Sequence, residues 1–364
     1  MRLATTIRGL IPVMALAVSA WAVSAPASAE GKGGGEGEGE KAVPVPCGDT
    51  AALITAVSEA NSSPFGGSVT LTTGCVYTLG SAAYTGPNGA DGLPLITRDV
   101  TITGTLATIR RSASAADFRI AEIAPGGSLT VNGVTFSGGR AASGAGIDGG
   151  GILDQGSLNL IQSTVTGNTA SNTGGGIEIA SGGSAVLSAT DVTHNSAGDG
   201  GGIHISTSAT LSVSGGNISD NTANSSGGGV GNYGTTLLSA VTVARNTSTN
   251  FEGGGITTGI GDFTLNGSRV LENTAGNFGG GIANTGSALR VQSTTVSGNT
   301  ATLNGGGLFQ HAGTTQLIGD TITGNTANGG QGGGIFTDGG TASLTATTVF
   351  GNNPNQCVPA LAGC

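Results

Sequence analysis

Charge is what this chain has least of: 9% of its residues are charged, 4% are aromatic, and no lysine follows Lys41. With no basic patch to neutralise phosphates, nucleic acid is not an expected partner. The net charge of −9 overstates the acidity of the folded part, because Glu30, Glu36, Glu38 and Glu40 share one Gly-rich stretch. Long apolar runs are also scarce. The one run, Leu10 to Val23, is interrupted by Pro12, and it is shorter than the roughly 20 residues a bilayer span needs. Arg2 and Arg8 precede it and Ala27-Ser28-Ala29 follow it, so residues 1–29 read as a signal peptide cleaved before Glu30. A lipid anchor would require a cysteine at the cleavage site, and Cys47 lies 18 residues beyond Ala29. The expectation is a secreted, extracellular protein without a membrane span.

Cysteine is limited to four residues, whose spacings match no zinc pattern. In an exported chain they predict two disulfides, Cys47 with Cys75 and Cys357 with Cys364. No metal or cofactor is expected. Glycine is abundant, at 71 of 364 residues, which by itself suits a disordered chain. Disorder, however, goes with high charge and few branched aliphatics, and this chain has the opposite composition.

The glycines are periodic. Gly-Gly-Gly followed by an aliphatic residue recurs with the aliphatic at Ile152, Ile177, Ile203, Val230, Ile256, Ile282, Leu308 and Ile335, in steps of 25 to 27. A second ladder keeps the same beat: Asn168, Asn195, Asn221, Asn246, Asn273, Asn299, Asn325 and Asn352. Three residues before each asparagine stands a β-branched aliphatic, from Val165 to Val349, and five residues before that another apolar residue, from Leu160 to Leu344. Each period of about 26 residues therefore holds three short apolar segments with strand-like alternation. One period cannot bury its own inner faces. Successive periods must stack, each strand pairing in parallel with its copy about 4.8 Å away. The predicted fold is all-β, a right-handed single-stranded parallel β-helix (a solenoid) of eight regular rungs with a bore filled by Val, Ile and Leu. A leucine-rich horseshoe needs an apolar residue five positions before the asparagine; Ser163, Thr190, Gly216, Ser268, Thr294, Asp320 and Thr347 stand there instead, with Val241 the one apolar exception. A nine-residue calcium repeat is absent.

The glycines permit positive φ and close approach of neighbouring rungs. Each asparagine amide can bond both to local backbone and to the same amide one rung away. The pair Gly-Gly-Gly-Ile and Val-x-x-Asn, over roughly Gly150 to Asn352, resembles the repeats of the polymorphic outer-membrane protein (Pmp) family within the pectate-lyase-like β-helix group. Val or Ile replaces that family's Phe, and no membrane barrel follows Asn352. The resemblance implies the architecture and an adhesive surface role, not autotransport.

Before the repeat, Asp49 is placed to cap a helix from Thr50 to Asn61 with Leu53, Val57 and Ala60 on its apolar stripe. Such a helix would plug one end of the prism and protect its strand edges. The expected domain order is the leader, a flexible Gly/Glu linker over 30–46, a cap with irregular first rungs over 47–127, the regular β-helix over 128–353 and a disulfide loop over 354–364.

Candidate chemistry is sparse. His194, Asp220, Arg245 and Glu272 each directly precede a ladder asparagine on consecutive rungs. They form either one outward site or a salt-bridged ladder worth about 0.2–1 kcal/mol per pair. Glu178 and His204 each follow a strand-opening aliphatic on adjacent rungs; they are either an acid–base couple or a solvated ion pair lacking a third orienting group. Phe309 and Phe336 share that outward position, open to a sugar or partner or covered by the C-terminal tail, and His311 reads as a lone solvated turn residue. Two functions fit. One is a non-catalytic, adhesin-like surface protein binding extracellular polysaccharide or cell-envelope components, favoured by near-uniform rungs without long cleft-walling loops. The other is a polysaccharide lyase or glycoside hydrolase of the pectate-lyase-like type, with Glu178, His204, Asp220, Arg245 and Glu272 as its candidates.

Overall fold

The computed structural model describes residues 42–142, 144 and 146–364. The expected leader and most of the expected linker lie outside them. The chain coils as a right-handed parallel solenoid of about 11 rungs, about 27 residues each, with a single helix near its start. Each regular rung opens with a three-residue strand such as Ile177–Ile179. It continues through a five-residue strand, Ser184–Ser188, and a three-residue strand, Asp191–Thr193. Every one of these pairs in parallel and in register with its copy on the next rung, Ile177 with Ile203, Leu187 with Val213 and Val192 with Ile218. The aliphatic side chains at these positions are buried along the coil, except on the last rung, where Leu344 and Val349 are half-buried.

A fourth pairing segment was not expected. The residues just after each asparagine, such as Thr169–Ala170 and Thr222–Ala223, form two-residue strands stacked in a separate sheet of eight. Their backbone carbonyls lie against the glycine triplets, so that a Cβ on Gly175 would fall 2.5 Å from the Ser196 oxygen. In the triplet Gly174-Gly175-Gly176, the first residue has φ +63°, and a Cβ on the second would lie 2.4 Å from the Gly201 carbonyl oxygen. A Cβ on the third would lie 2.9 Å from Asn195 Nδ2. All three positions are therefore closed to any side chain.

Two polar ladders hold the corners on either side of the third strand. In the asparagine ladder, Asn195 Nδ2 donates to Asn221 Oδ1 on the next rung at 3.0 Å and to the Val165 carbonyl on the previous rung at 2.9 Å. Its backbone N–H donates to the same Asn221 oxygen, and its own Oδ1 accepts from both nitrogens of Asn168. At the other corner the hydroxyls of Thr190, Ser268 and Thr294 accept from the backbone N–H one rung away, for example Ser163 N–H to Thr190 Oγ1. The polar positions that exclude a horseshoe thus form a second ladder.

The bore is not purely aliphatic. The third residue of the opening strand points inward, and at Asp154, Asn232, Thr258, Asn284 and Gln310 it is polar and 0% exposed. Thr258 Oγ1 donates to Asn284 Oδ1, and Asn284 Nδ2 donates to Gln310 Oε1, so these polar groups satisfy one another. Asp154 lacks such a partner: Oδ1 accepts from Gly156 N–H at 2.9 Å, while Oδ2 is buried with no hydrogen bond.

Helix α1 spans Thr50–Ser62, its N-terminus capped by Asp49, which accepts from Ala52 N–H. Leu53, Ala56, Val57 and Ala60 are its buried face, packed against the first strands of the coil. The linker expected to run to residue 46 stops sooner, because Val43–Val45 already pairs in parallel with Val69–Leu71. Disulfides join Cys47 to Cys75 and Cys357 to Cys364. The tail lays Cys357–Val358 beside Ile335–Phe336 and packs Leu361 onto the last rung. No helix among the described residues is long and apolar enough to cross a membrane.

Two outcomes test this packing. Asn246→Leu strands the backbone and side-chain donors of Asn221, each costing about 1–3 kcal/mol when buried. The expected loss is about 3–5 kcal/mol by denaturant unfolding, and an unchanged midpoint would show that the ladder is not a source of stability. The second concerns Asp154, whose carboxyl is pushed by burial from 3.8 to about 7. A raised folded-state pKa means the group's favourable contribution is complete below pH 3.8 and is lost as pH climbs through about 7. Asp154→Asn removes that dependence. Its stability relative to the parent should therefore rise by roughly 4 kcal/mol between pH 4 and 8, at about 1.4 kcal/mol per pKa unit; a gap that stays constant with pH would mean the carboxyl is solvated.

Candidate functional site

The outward residues of the opening strands do not face open solvent. Register places Glu122, Leu153, Glu178, His204 and Gly231 in one column, continued by Thr257, Ala283, Phe309 and Phe336. Most of this column is buried: Glu178 is 4% exposed, His204 7% and Phe309 5%. The residue directly before each glycine triplet folds alongside it, so that Asp148, Thr173, Asp199, Ser226, Glu252 and Phe278 make a rim. The residue directly after each opening strand, such as Gln155, Ser206, Tyr233 or His311, makes the opposite rim. The column and its two rims run along the coil axis as a shallow groove whose floor the rims largely cover.

Glu178 and His204 are therefore not the solvated pair expected from their outward register. His204 Nδ1 lies 2.8 Å from Glu178 Oε2, and Ser206 Oγ donates to Glu178 Oε1 at 2.8 Å. Ser206 is the third orienting group, two residues beyond His204 on the same rung. Burial alone would lower the His204 pKa, but the bond to Glu178 and the charges of Glu178, Asp199 and Asp148 outweigh it and hold the imidazole above its usual value. Asp199 is itself raised, chiefly by burial. Its Oδ2 accepts from the Tyr233 hydroxyl at 3.3 Å, and the Tyr233 ring stands 5.4 Å from that of His204.

Two floor and rim glycines explain how these larger groups fit. A Cβ on Gly231 would fall 2.6 Å from Asp199 Oδ1, and one on Gly259 would fall 2.5 Å from the Tyr233 ring. Each glycine yields its space to a side chain from a neighbouring rung. The Asp199–Tyr233 pair thus fills the middle of the groove and divides it in two.

Toward the N-terminus lies a cavity of about 300 Å³ lined by Asn88, Arg119, Asp148, Gln155, Asn172 and the Glu178–His204 pair, among others. One side is closed by Asn88, in the turn of the antiparallel hairpin that joins Tyr84–Gly86 to Gly89–Asp91. A cleft-walling insertion is therefore present, contrary to the expectation from the uniform rungs; it sits before the repeat, where periodicity carries no information. Arg119, 1% exposed, clamps this hairpin. It donates to Asp91 at 2.9 Å, Glu122 at 3.0 Å, and the carbonyls of Asn88 and Asp148. Toward the C-terminus the groove turns aromatic. Phe309 stacks between Phe278 at 4.7 Å and Phe336 at 6.1 Å, with His311 also stacked on it. Phe309 is buried by its neighbours, and Phe336 is half-buried beside Val358 of the tail. His311 is exposed but not alone, since its Nδ1 lies 2.9 Å from Asp338 Oδ1.

The other predicted row lies elsewhere. His194, Asp220, Arg245 and Glu272 sit at the corner before the asparagine ladder, apart from the groove. All four have φ between 53° and 58°, and Gly167, Gly298, Gly324 and Gly351 occupy the same corner on other rungs with φ of 64° to 67°. The corner demands a left-handed backbone, and the charged residues tolerate it because their side chains point to water. Arg245 pairs with Asp220 through Nε and Nη2, both at 2.8 Å, an exposed pair on adjacent rungs. Arg245→Gly gives up that pair, worth about 0.2–1 kcal/mol, and removes left-handed strain of about 1–2 kcal/mol, while glycine adds about 0.5–1 kcal/mol of chain entropy. The unfolding midpoint should stay within about 1 kcal/mol of the parent; a larger loss would give this row a structural role that the geometry lacks.

Among the described residues no group of His, Cys, Asp and Glu is arranged to hold a metal ion. No curated protein and no solved structure matches the chain. Residues 150–322, within the regular rungs, match the family model described as right handed beta helix region, and it is to that family that this coil is similar.

Proposed function

We propose that the protein is a secreted, adhesin-like β-helix that holds extracellular or cell-envelope glycan along this groove without cleaving it. The observation that carries the reading is the groove itself, with a hydrogen-bonding cavity at one end and stacked phenylalanine rings at the other. A polyhydroxylated chain presents hydroxyls to the first and the apolar faces of its rings to the second. Two disulfides and the absence of a membrane-spanning helix among the described residues are compatible with an extracellular site of action. The resemblance to Pmp repeats supports a surface role.

A lyase or hydrolase is the less favoured reading. Both oxygens of Glu178 are engaged, one by His204 and one by Ser206, which suits a fixed binding surface. Asp220, Arg245 and Glu272 stand outside the groove. A uronide polymer would also bring its carboxylates against Asp148, Glu178, Asp199 and Glu252.

In affinity electrophoresis against a panel of neutral, amino and acidic polysaccharides, the protein should be retarded by at least one and release no reducing or unsaturated ends. Phe336→Ala should weaken that retention about tenfold, the effect of truncating one aromatic contact. Sustained product release by the parent protein would replace this reading with an enzymatic one.

A further inference from the structure

The cavity beneath the hairpin has a one-sided hydrogen-bonding character. Most donors on its lining side chains are used within the protein. Asn88 Nδ2 bonds Glu122 and Gln155, Asn172 Nδ2 bonds Asp148, Ser206 Oγ bonds Glu178, and the Arg119 guanidinium is taken by the hairpin and Glu122. The acceptors are left over. Asp148 gathers all three of its bonds on Oδ1, leaving Oδ2 without one, and the side-chain oxygens of Asn88 and Asn172 accept none. A ligand that fits must supply donors.

Charge points the same way. Arg119 is balanced by Asp91 and Glu122, and His204 by Glu178 against its Nδ1. Asp148 forms no ion pair among the described residues. His204 is more than nine-tenths buried and lines the cavity, and its Nε2 makes no hydrogen bond inside the protein. The space, about 300 Å³, is at the lower end of the range for small-molecule sites, the scale of one sugar unit. An ammonium group offers three donors, no acceptor and a positive charge.

Building on the glycan-binding reading of the groove, we propose that the cavity lined by Asn88, Asp148, Asn172 and His204 is a subsite for the ammonium-bearing unit of an amino sugar. The ammonium sits against Asp148 Oδ2, the hydroxyls of the same unit face Asn88 and Asn172, and His204 Nε2 meets a ring or hydroxyl oxygen. The remainder of the saccharide leaves over the groove.

Titration calorimetry of the full secreted chain with three tetrasaccharides tests this: β-linked glucosamine, its fully N-acetylated counterpart, and galacturonate. The glucosamine oligomer should bind at least tenfold tighter than the acetylated one, weaken as salt is raised, and outcompete galacturonate. Asp148→Asn, which keeps an oxygen for the Asn172 and Thr173 donors but removes the charge facing the ammonium, should erase most of that preference. The salt dependence and the three-ligand ranking on the parent chain stand even if this variant folds poorly. Equal or tighter binding of the acetylated or acidic oligomer would overturn the ammonium subsite but leave glycan binding intact. A simple diamine binding as tightly as the glucosamine oligomer would also overturn it, because the site would then read charge without sugar. Failure of all three saccharides to bind would remove the groove reading together with the subsite.

Discussion

In a parallel coil every side chain has its own copy, or whatever replaces it, about 4.8 Å away on the next lap. That constraint decides which residues can repeat. Aliphatics stack on aliphatics without penalty, and asparagine stacks on asparagine because one amide carries both donor and acceptor. The eight-membered column from Asn168 to Asn352 is the outcome: from Asn168 to Asn325 each Nδ2 meets the Oδ1 above it and a carbonyl below it, and Asn352 ends the column on Gln356 Oε1. A hydroxyl can do the same in part, which gives the Ser/Thr ladder at the neighbouring corner. Carboxylates, imidazoles and guanidinium groups cannot sit on their own kind. Wherever one appears it must face a different residue on the next rung.

Such mismatched positions are therefore the informative ones, and they fall into two kinds. At the left-handed corner, Asp220 and Arg245 neutralise each other in water, and the other rungs use glycine. In the groove, by contrast, the mismatches are buried and interlocked: Glu178 under His204, Asp199 in the space left by Gly231, Tyr233 over Gly259. Burial raises the cost of an unsatisfied charge by several kcal/mol, so these groups persist only with fixed partners. Ser206 supplies one to Glu178 and Tyr233 one to Asp199.

What could be read from residue order follows the same division. The strands, the glycine triplets, the asparagine column and the Asp49-capped helix were legible because each depends on local spacing or on strict period. The fourth strand was also in view, in the recurring Asn-Thr-Ala, but two residues are too short for any alternation to register. The burial of Glu178 and His204 was not legible. Outward register predicts solvent, and what covers these residues comes from positions such as Asp148 and Asp199, which follow no simple repeat, and from a hairpin that precedes the repeat altogether. The polar residues inside the bore were missed for the opposite reason. Asn232, Thr258, Asn284 and Gln310 occupy an inward position that holds isoleucine at Ile179 and Ile205, and a column is assigned its character by its commonest member.

A strictly periodic surface can bind only something equally periodic, because each rung offers the contacts of the one before. Selectivity for one chemical unit needs a place where the repetition ends. Here that place is the junction between the irregular first rungs and the regular coil, where Arg119 fastens a hairpin across the groove and Asn88 is brought beside Gln155 from a segment 67 residues away. The uniform rungs beyond it lengthen the platform and carry it to the phenylalanine stack. Chemical discrimination at one end and extended, low-specificity contact along the rest is the division of labour that this geometry permits, and under the proposed glycan-binding function the determinants of ligand choice lie in the part of the chain where the repeat is least visible.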